Sequence, residues 1–230
     1  MRIPTLAAQI AILLVSAAVV LSQVWTFPFP STFAQPFLGP KERWPEDQIK
    51  GWVESGMFEP AFVQFFNRDP ERTIPPGNNL VAPADGVIKD IVKTDTKTYY
   101  IVGLSFWDVH VVRTPVAGTV TDVYEEGEVV FRDASETAGL AFLKEKAGPV
   151  QKTVTIETDA GEEYKVRLIT SWWASRLKVS ARVGQKIGKG DRIGRILLGS
   201  SVVIDAPTTD VFDTPVGARV VAGETVICKK

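Results

Sequence analysis

Beyond Pro76 the chain breaks into short runs rich in valine, isoleucine, threonine and tyrosine, each closed within a few residues by glycine, aspartate or proline. Runs this short are not helices, and their β-branched and aromatic residues suit a pleated, half-buried surface. Residues 99–102, 116–124, 153–158, 164–169 and 201–205 are read as strands. Between two of them Asp159-Ala160-Gly161 reads as a hairpin connection in which glycine supplies the positive φ. The pattern predicts a mainly β, sandwich- or barrel-like domain over residues 76–230. Within it Pro115-Val116-Ala117-Gly118-Thr119-Val120 is echoed by Pro215-Val216-Gly217-Ala218-Arg219-Val220. Such hairpins recur in lipoyl- and biotinyl-type domains, but neither copy offers the exposed lysine that carries those groups, so the echo concerns fold alone.

The N-terminal third has a different texture. Between residues 6 and 25 only Gln9, Ser16, Ser22 and Gln23 are clearly polar, an apolar run near the ~20 residues that cross a bilayer. Trp25 and Phe27 follow where an interfacial aromatic anchor belongs. Arg2 and the small residues Ala17, Ala18 and Ser22 also suit a signal peptide, but no clean A-x-A site follows, which favours an uncleaved membrane anchor over residues 1–25. Residues 26–75 are read as a linker stiffened by Pro28, Pro30, Pro36 and Pro40, then a short amphipathic helix. Ile49, Trp52, Val53, Met57, Phe62, Phe65 and Phe66 recur there at helix-like intervals, with breaks expected at Gly56 or Pro60. That face either packs on the main domain or lies on lipid; Lys50 is its only early basic residue, few for an interfacial helix.

Charge and sulfur content narrow the function classes. Lysine and arginine total 26 against 27 acidic residues, which leaves no electrostatic footprint for nucleic acid. Cys228 stands alone and so does His110, which excludes an intrachain disulfide and a typical zinc site. Gly184, Gly188 and Gly190 read as hairpin turns, since no Gly-Lys-Ser/Thr accompanies them. Glu125-Glu126 and Glu162-Glu163 read as solvated charge.

Three ordinary-looking sites remain: a histidine in a strand-like run, an aspartate in the turn Pro83-Ala84-Asp85-Gly86, and a serine after glycine in Leu198-Gly199-Ser200-Ser201. Each alone has an ordinary reading, as a structural histidine, a backbone-capping aspartate and a turn serine; in company they are candidates for chemistry. A serine hydroxyl is a poor nucleophile until a base takes its proton, and an imidazole held by a carboxylate is the usual solution. His110 and Asp85 are candidates for that pair, with Ser200 as the nucleophile.

These segments, together with Phe65-Phe66-Asn67-Arg68-Asp69-Pro70-Glu71-Arg72 and Asp108-Val109-His110, resemble phosphatidylserine decarboxylase in its shorter form, in that family's order, from about Phe65 onward. The resemblance implies that Ser200 is the serine of the self-cleavage motif and Gly199 gives the scissile carbonyl. It implies that Ser200 becomes a pyruvoyl group and that pieces 1–199 and 200–230 stay associated. It implies catalytic roles for His110 and Asp85. The activity implied is decarboxylation of phosphatidylserine to phosphatidylethanolamine and carbon dioxide through a Schiff base with the pyruvoyl group, without a metal. Its partner is a membrane phospholipid, and a homodimer is left open. Family resemblance places the domain at the cytoplasmic face of the membrane, whereas Arg2 and the amino terminus, by the positive-inside rule, favour the outside; a flat-lying first segment removes the conflict.

The match has departures. Longer members carry a second histidine where this chain has Arg113, whose planar fork suits either a substrate carboxylate or phosphate, or a structural ion pair. Residues 129–150 contain no asparagine, although the family often has an Asn-Glu-Arg element there. Trp172-Trp173 and Arg176 read as core packing before pocket lining. Two other readings stay in view. A membrane-anchored, non-enzymatic adaptor with a lipoyl-like domain would remain one chain on a denaturing gel, and an archaetidylserine decarboxylase would act on the same head group in an ether lipid.

Overall fold

The computed structural model describes residues 6–24, 37–128, 133–145, 148–171, 177–197 and 200–230. The proline linker, Trp25, Phe27, Trp172, Trp173, Arg176 and Gly199 lie outside the described residues. The chain divides into two compact units, residues 1–64 and 65–230.

In the first unit, helix α1 (Leu6–Val24) runs 19 residues without a charge. At about 1.5 Å per residue it spans about 28 Å, just under the ~30 Å of hydrocarbon. Among the described residues no helix is long and apolar enough to cross a membrane. Helix α2 (Pro40–Arg43) carries proline at its start, where the missing N–H costs nothing. Helix α3 (Glu46–Ser55) stops at Gly56, whose φ of 69° is a left-handed cap, and α4 (Pro60–Phe66) begins at Pro60 and ends in the second unit. Trp44, Ile49 and Phe62 are buried. The Phe62 ring lies 5.6 Å from that of Trp44 and 5.3 Å from that of Trp52, while the Trp44 indole N–H donates to Glu59 at 3.0 Å. Much of the apolar helical face is therefore spent on mutual packing.

The second unit is mainly β. Its strands are β1 (Leu80–Val81), β2 (Gly86–Lys93), β3 (Lys97–Leu104), β4 (Val111–Arg113), β5 (Gly118–Glu128), β6 (Pro149–Glu157), β7 (Glu163–Ser171), β8 (Leu177–Val179), β9 (Lys186–Ile187), β10 (Arg192–Ile196), β11 (Ser200–Pro207), β12 (Arg219–Val220) and β13 (Val226–Cys228). An antiparallel sheet in the order β12-β2-β3-β11-β7-β6-β5-β9 is accompanied by β4-β10-β8 and by β1-β13. Each run read as a strand lies largely within one of these. The β6–β7 hairpin turns where expected, with Gly161 at φ 78° and its N–H donating to Thr158 O at 2.9 Å.

Side chains on successive β3 residues go to opposite faces, as the strand period of two demands. Tyr100 and Val102 join a core with Ile88, Val202, Val112, Ile193 and Leu80, between the large sheet and the smaller ones, which is a sandwich-like arrangement. Tyr99 and Ile101 join Val203, Ile169, Leu140 and Leu143 on the other face. That face is covered by α5 (Ala134–Gly139) and a 3-10 turn (Ala141–Glu145), elements the strand texture did not announce. Asp133 caps α5 by accepting from the Glu136 N–H at 2.8 Å, a D-x-x-E signal legible in retrospect.

Glu136 continues into a buried ion triad. Arg167 donates through Nε to Asp205 at 3.0 and 2.9 Å and through Nη2 to Glu136 at 2.7 Å. Burial opposes the Arg167 charge, but Asp205 and Glu136 overcome it and push the guanidinium pKa up. Arg167→Met would strand two buried carboxylates. In an uncut background it is expected to cost about 3–5 kcal/mol, read as a lower denaturant midpoint at unchanged slope.

Candidate active site

One end of the large sheet gathers the residues that the sequence singled out. Gly86 has φ 153°, and a Cβ there would strike the Gly103 carbonyl oxygen, so only glycine lets β2 start this close to β3. Asp85 immediately precedes it. Register carries the neighbourhood across the strands: Val220 pairs with Gly86, Val87 with Gly103, Gly103 with Ser201, and Leu104 with Ser200. On its other side Ser200 pairs with Thr170. The backbone of Ser200 therefore opens a strand laddered on both edges, beside the exit of β3.

Residues 105–110 leave β3 as a tight loop closed by Asp108. Its Oδ2 accepts from the Ser105 N–H at 2.7 Å and from the Ser105 hydroxyl at 2.6 Å. Its Oδ1 accepts from Arg219 of β12. The loop delivers His110 to the start of β4, where its carbonyl accepts from the Ile196 N–H at 3.0 Å. Ile196 ends β10 and leads through residues 197–199 to Ser200. His110 is thereby fastened to the segment that runs into the Gly199–Ser200 bond.

The His110 ring is fully buried. Its Nδ1 lies 2.9 Å from the Asp108 carbonyl, which only accepts, so Nδ1 carries the proton. That leaves Nε2 as a lone-pair acceptor, buried and without a partner among the described residues. Burial draws the imidazole pKa down to about 4, against the opposing pull of the Asp108 carbonyl and carboxylate. At neutral pH the ring is an uncharged base with its accepting nitrogen unspent.

Asp85 and His110 share no hydrogen bond. The place a triad carboxylate would take, at Nδ1, is filled by the backbone carbonyl of Asp108. Asp85 instead accepts from Arg72 Nη2 at 3.0 and 2.9 Å and from the Ala222 N–H at 2.8 Å. Arg113 makes an ion pair with Asp69. Its side chain is 6% exposed, and it donates to Gly190 O at 2.9 Å, Asp69 at 3.2 Å and Pro70 O at 3.4 Å.

The segment Asn67 to Arg72, recognisable in the sequence without a derived role, is a strap over this end of the fold. Besides the Arg72–Asp85 pair, Arg195 donates to Asn67 O at 2.8 Å and Arg192 to Asp69 at 2.7 Å. Arg68 donates to the Trp107 carbonyl at 2.5 Å. Arg219, which anchors Asp108, carried no sequence signal at all. Among the described residues no group of three or more His, Cys, Asp or Glu side chains is arranged to hold a metal.

No solved structure matches the chain. The family model described as phosphatidylserine decarboxylase matches residues 59–228. The phosphatidylserine decarboxylase proenzyme of Geobacter sulfurreducens is 37% identical over 188 residues, covering 76% of this chain and 82% of the relative. A putative archaetidylserine decarboxylase proenzyme of Halobacterium salinarum is 36% identical over 182 residues, covering 77% and 86%. The corresponding proenzyme of Solibacter usitatus is 33% identical over 171 residues, covering 74% and 79%. With the family model spanning most of the chain and these relatives agreeing with it, the chain belongs to the phosphatidylserine decarboxylase family.

Proposed function

We propose that this protein is a proenzyme that cuts itself between Gly199 and Ser200, converts Ser200 into a pyruvoyl group, and decarboxylates phosphatidylserine to phosphatidylethanolamine. The observation that carries this reading is His110: a buried, neutral imidazole with Nε2 unspent, tied through Ile196 to the segment entering Ser200. That orphaned nitrogen, on a residue bonded to the segment that leads into β11, fits a site that makes and then uses such a group.

In self-cleavage the Ser200 hydroxyl attacks the Gly199 carbonyl while Nε2 of His110 takes its proton. The proton passes to the departing nitrogen, leaving an ester and a free amine on residue 200. His110, neutral again, removes the Cα proton of residue 200 as the Gly199 carboxylate leaves, which gives dehydroalanine. Tautomerisation to an imine and hydrolysis by water release ammonia and leave the ketone. Asp85, at the same end of the sheet, contributes by fastening Arg72 and the Ala222 N–H beside the site rather than by touching the imidazole.

A pyruvoyl group supplies a carbonyl that condenses with the substrate amine and accepts the electron pair freed as carbon dioxide departs. His110 Nε2 then holds the proton that is delivered to the decarboxylated carbon. As the sole histidine it serves both tasks. The uncharged α1 is proposed to seat the protein on the membrane, with the β unit at the cytoplasmic face, where the lipid substrate is concentrated. An ether-linked archaetidylserine presents the same head group, and the Halobacterium relative makes it a second substrate to assay.

Intact mass spectrometry of the purified chain tests the proposal. A piece comprising residues 200–230 with pyruvoyl in place of its N-terminal serine is the expected result. A single uncut chain of full mass would overturn it, in favour of the adaptor or of a decarboxylase-like protein that has lost self-processing.

A further inference from the structure

We propose that Phe66 is a positioning residue for His110: its ring seals the imidazole from water and holds it in the orientation that leaves Nε2 free to take a proton. This rests on His110 being the base described above. Phe66 is the last residue of α4 and is 6% exposed. Its ring centroid stands 4.1 Å from that of His110, with the planes 32° apart. The two rings are in tilted contact, so Phe66 covers part of one side of the histidine.

The cover is fastened in place by Arg68, whose guanidinium donates to the Phe65 carbonyl at 2.9 Å and to the Trp107 carbonyl at 2.5 Å. One planar group thus pins the end of the aromatic segment to the loop that carries His110. The guanidinium carbon also sits 3.9 Å over the Phe65 ring, which leaves Phe66 as the aromatic side chain facing the imidazole. The opposite edge of the ring is held by Nδ1 on the Asp108 carbonyl. Cover on one side and a hydrogen bond at one nitrogen leave Nε2 as the single uncommitted polar atom of the ring.

The charged groups acting on the ring are Asp108 from its own loop, Arg68 from the strap and Arg195 from β10. Asp108 favours the imidazolium and the two arginines oppose it, but burial is the largest influence. Removing a ring that contributes to that burial admits water, and the imidazole then titrates nearer its ordinary value.

Because His110 is the sole histidine, its ring signals in nuclear magnetic resonance are unambiguous. The full chain carrying Ser200→Ala, held in detergent micelles, gives a titration free of self-cleavage. The parent is expected to titrate at about 4 with the proton on Nδ1. Phe66→Ala should raise the midpoint by at least about one pH unit, and Phe66→Leu by less, following the surface uncovered. Unchanged midpoints in both variants would overturn the proposal, whatever happened to their thermal stability. Should the alanine protein not fold, the leucine protein decides, an unmoved midpoint again being fatal.

The role of His110 is tested apart from this. In chains that retain Ser200, Phe66→Leu should move the acid limb of the self-cleavage rate upward in pH along with the histidine. A histidine that shifts while cleavage does not would leave Phe66 as its cover and remove His110 as the base.

Discussion

Ser200→Ala protein is expected to run as one uncut chain and to release no carbon dioxide from phosphatidylserine. The substitution deletes one oxygen, yet it removes both the nucleophile that opens the Gly199–Ser200 bond and the source of the electron-accepting ketone. The backbone ladder from Ser200 to Leu104 and Thr170 needs no side-chain oxygen, so the variant should keep its fold. A denaturing gel and release of labelled carbon dioxide read the two losses separately. An uncut variant with full turnover would remove the pyruvoyl proposal. A variant that still cut at this bond would remove the nucleophile.

His110→Gln is expected to slow self-cleavage by about 10²- to 10⁴-fold, the usual worth of a positioned proton acceptor. The parent's pH dependence follows from the same nitrogen. With the folded pKa drawn down to about 4, the parent rate should stay level from neutral pH to about pH 5, then fall about tenfold per pH unit below 4. Stability carries the same signature. An unfolded histidine binds a proton near pH 6.5, whereas folded His110 resists until about 4, so unfolding takes up a proton between those values. The stabilisation is fully present above about pH 6.5 and is lost as pH falls toward 4, by up to about 3 kcal/mol. In an uncut Ser200→Ala background, denaturant midpoints of the His110→Gln protein should lack that component. Parallel acid profiles in parent and variant would show that His110 does not set it.

The strands were legible because β-branched runs have little else to do. In β3 both faces are buried, so Tyr99 to Val102 reads as a continuous apolar stretch, and punctuation marked its ends. Helix α5 escaped notice because its 6 residues carry no apolar period and its evidence is one cap at Asp133. Motif order singles out Gly199, Ser200 and His110, and the fold brings the backbone of Ser200 and the loop of His110 to the same end of the sheet. The pairing of Asp85 with His110 was a guess about distance, which spacing does not encode. Nor does sequence announce that a backbone carbonyl takes the Nδ1 position, since every residue has one. The strap fared similarly: Arg72 was visible as part of a motif, but its partner, Asp85, was known only once the chain had folded.

The place of β11 has a consequence for the mature enzyme. Ser200 opens an interior strand, flanked by β3 and β7, and the piece that the proposed cut would free also supplies β12, β13 and the Lys230 amine bonded to Glu162 at 2.7 Å. Before the cut, folding is a unimolecular event in which all these strands are covalently delivered. On the proposed cleavage the same native state would become a heterodimer of two chains, neither of which has a complete sheet alone. The precursor refolds at any dilution, whereas the processed enzyme must find its own lost strand at a rate and with a stability set by concentration. Maturation thus trades thermodynamic reversibility for chemistry, and each molecule has one assured chance to fold.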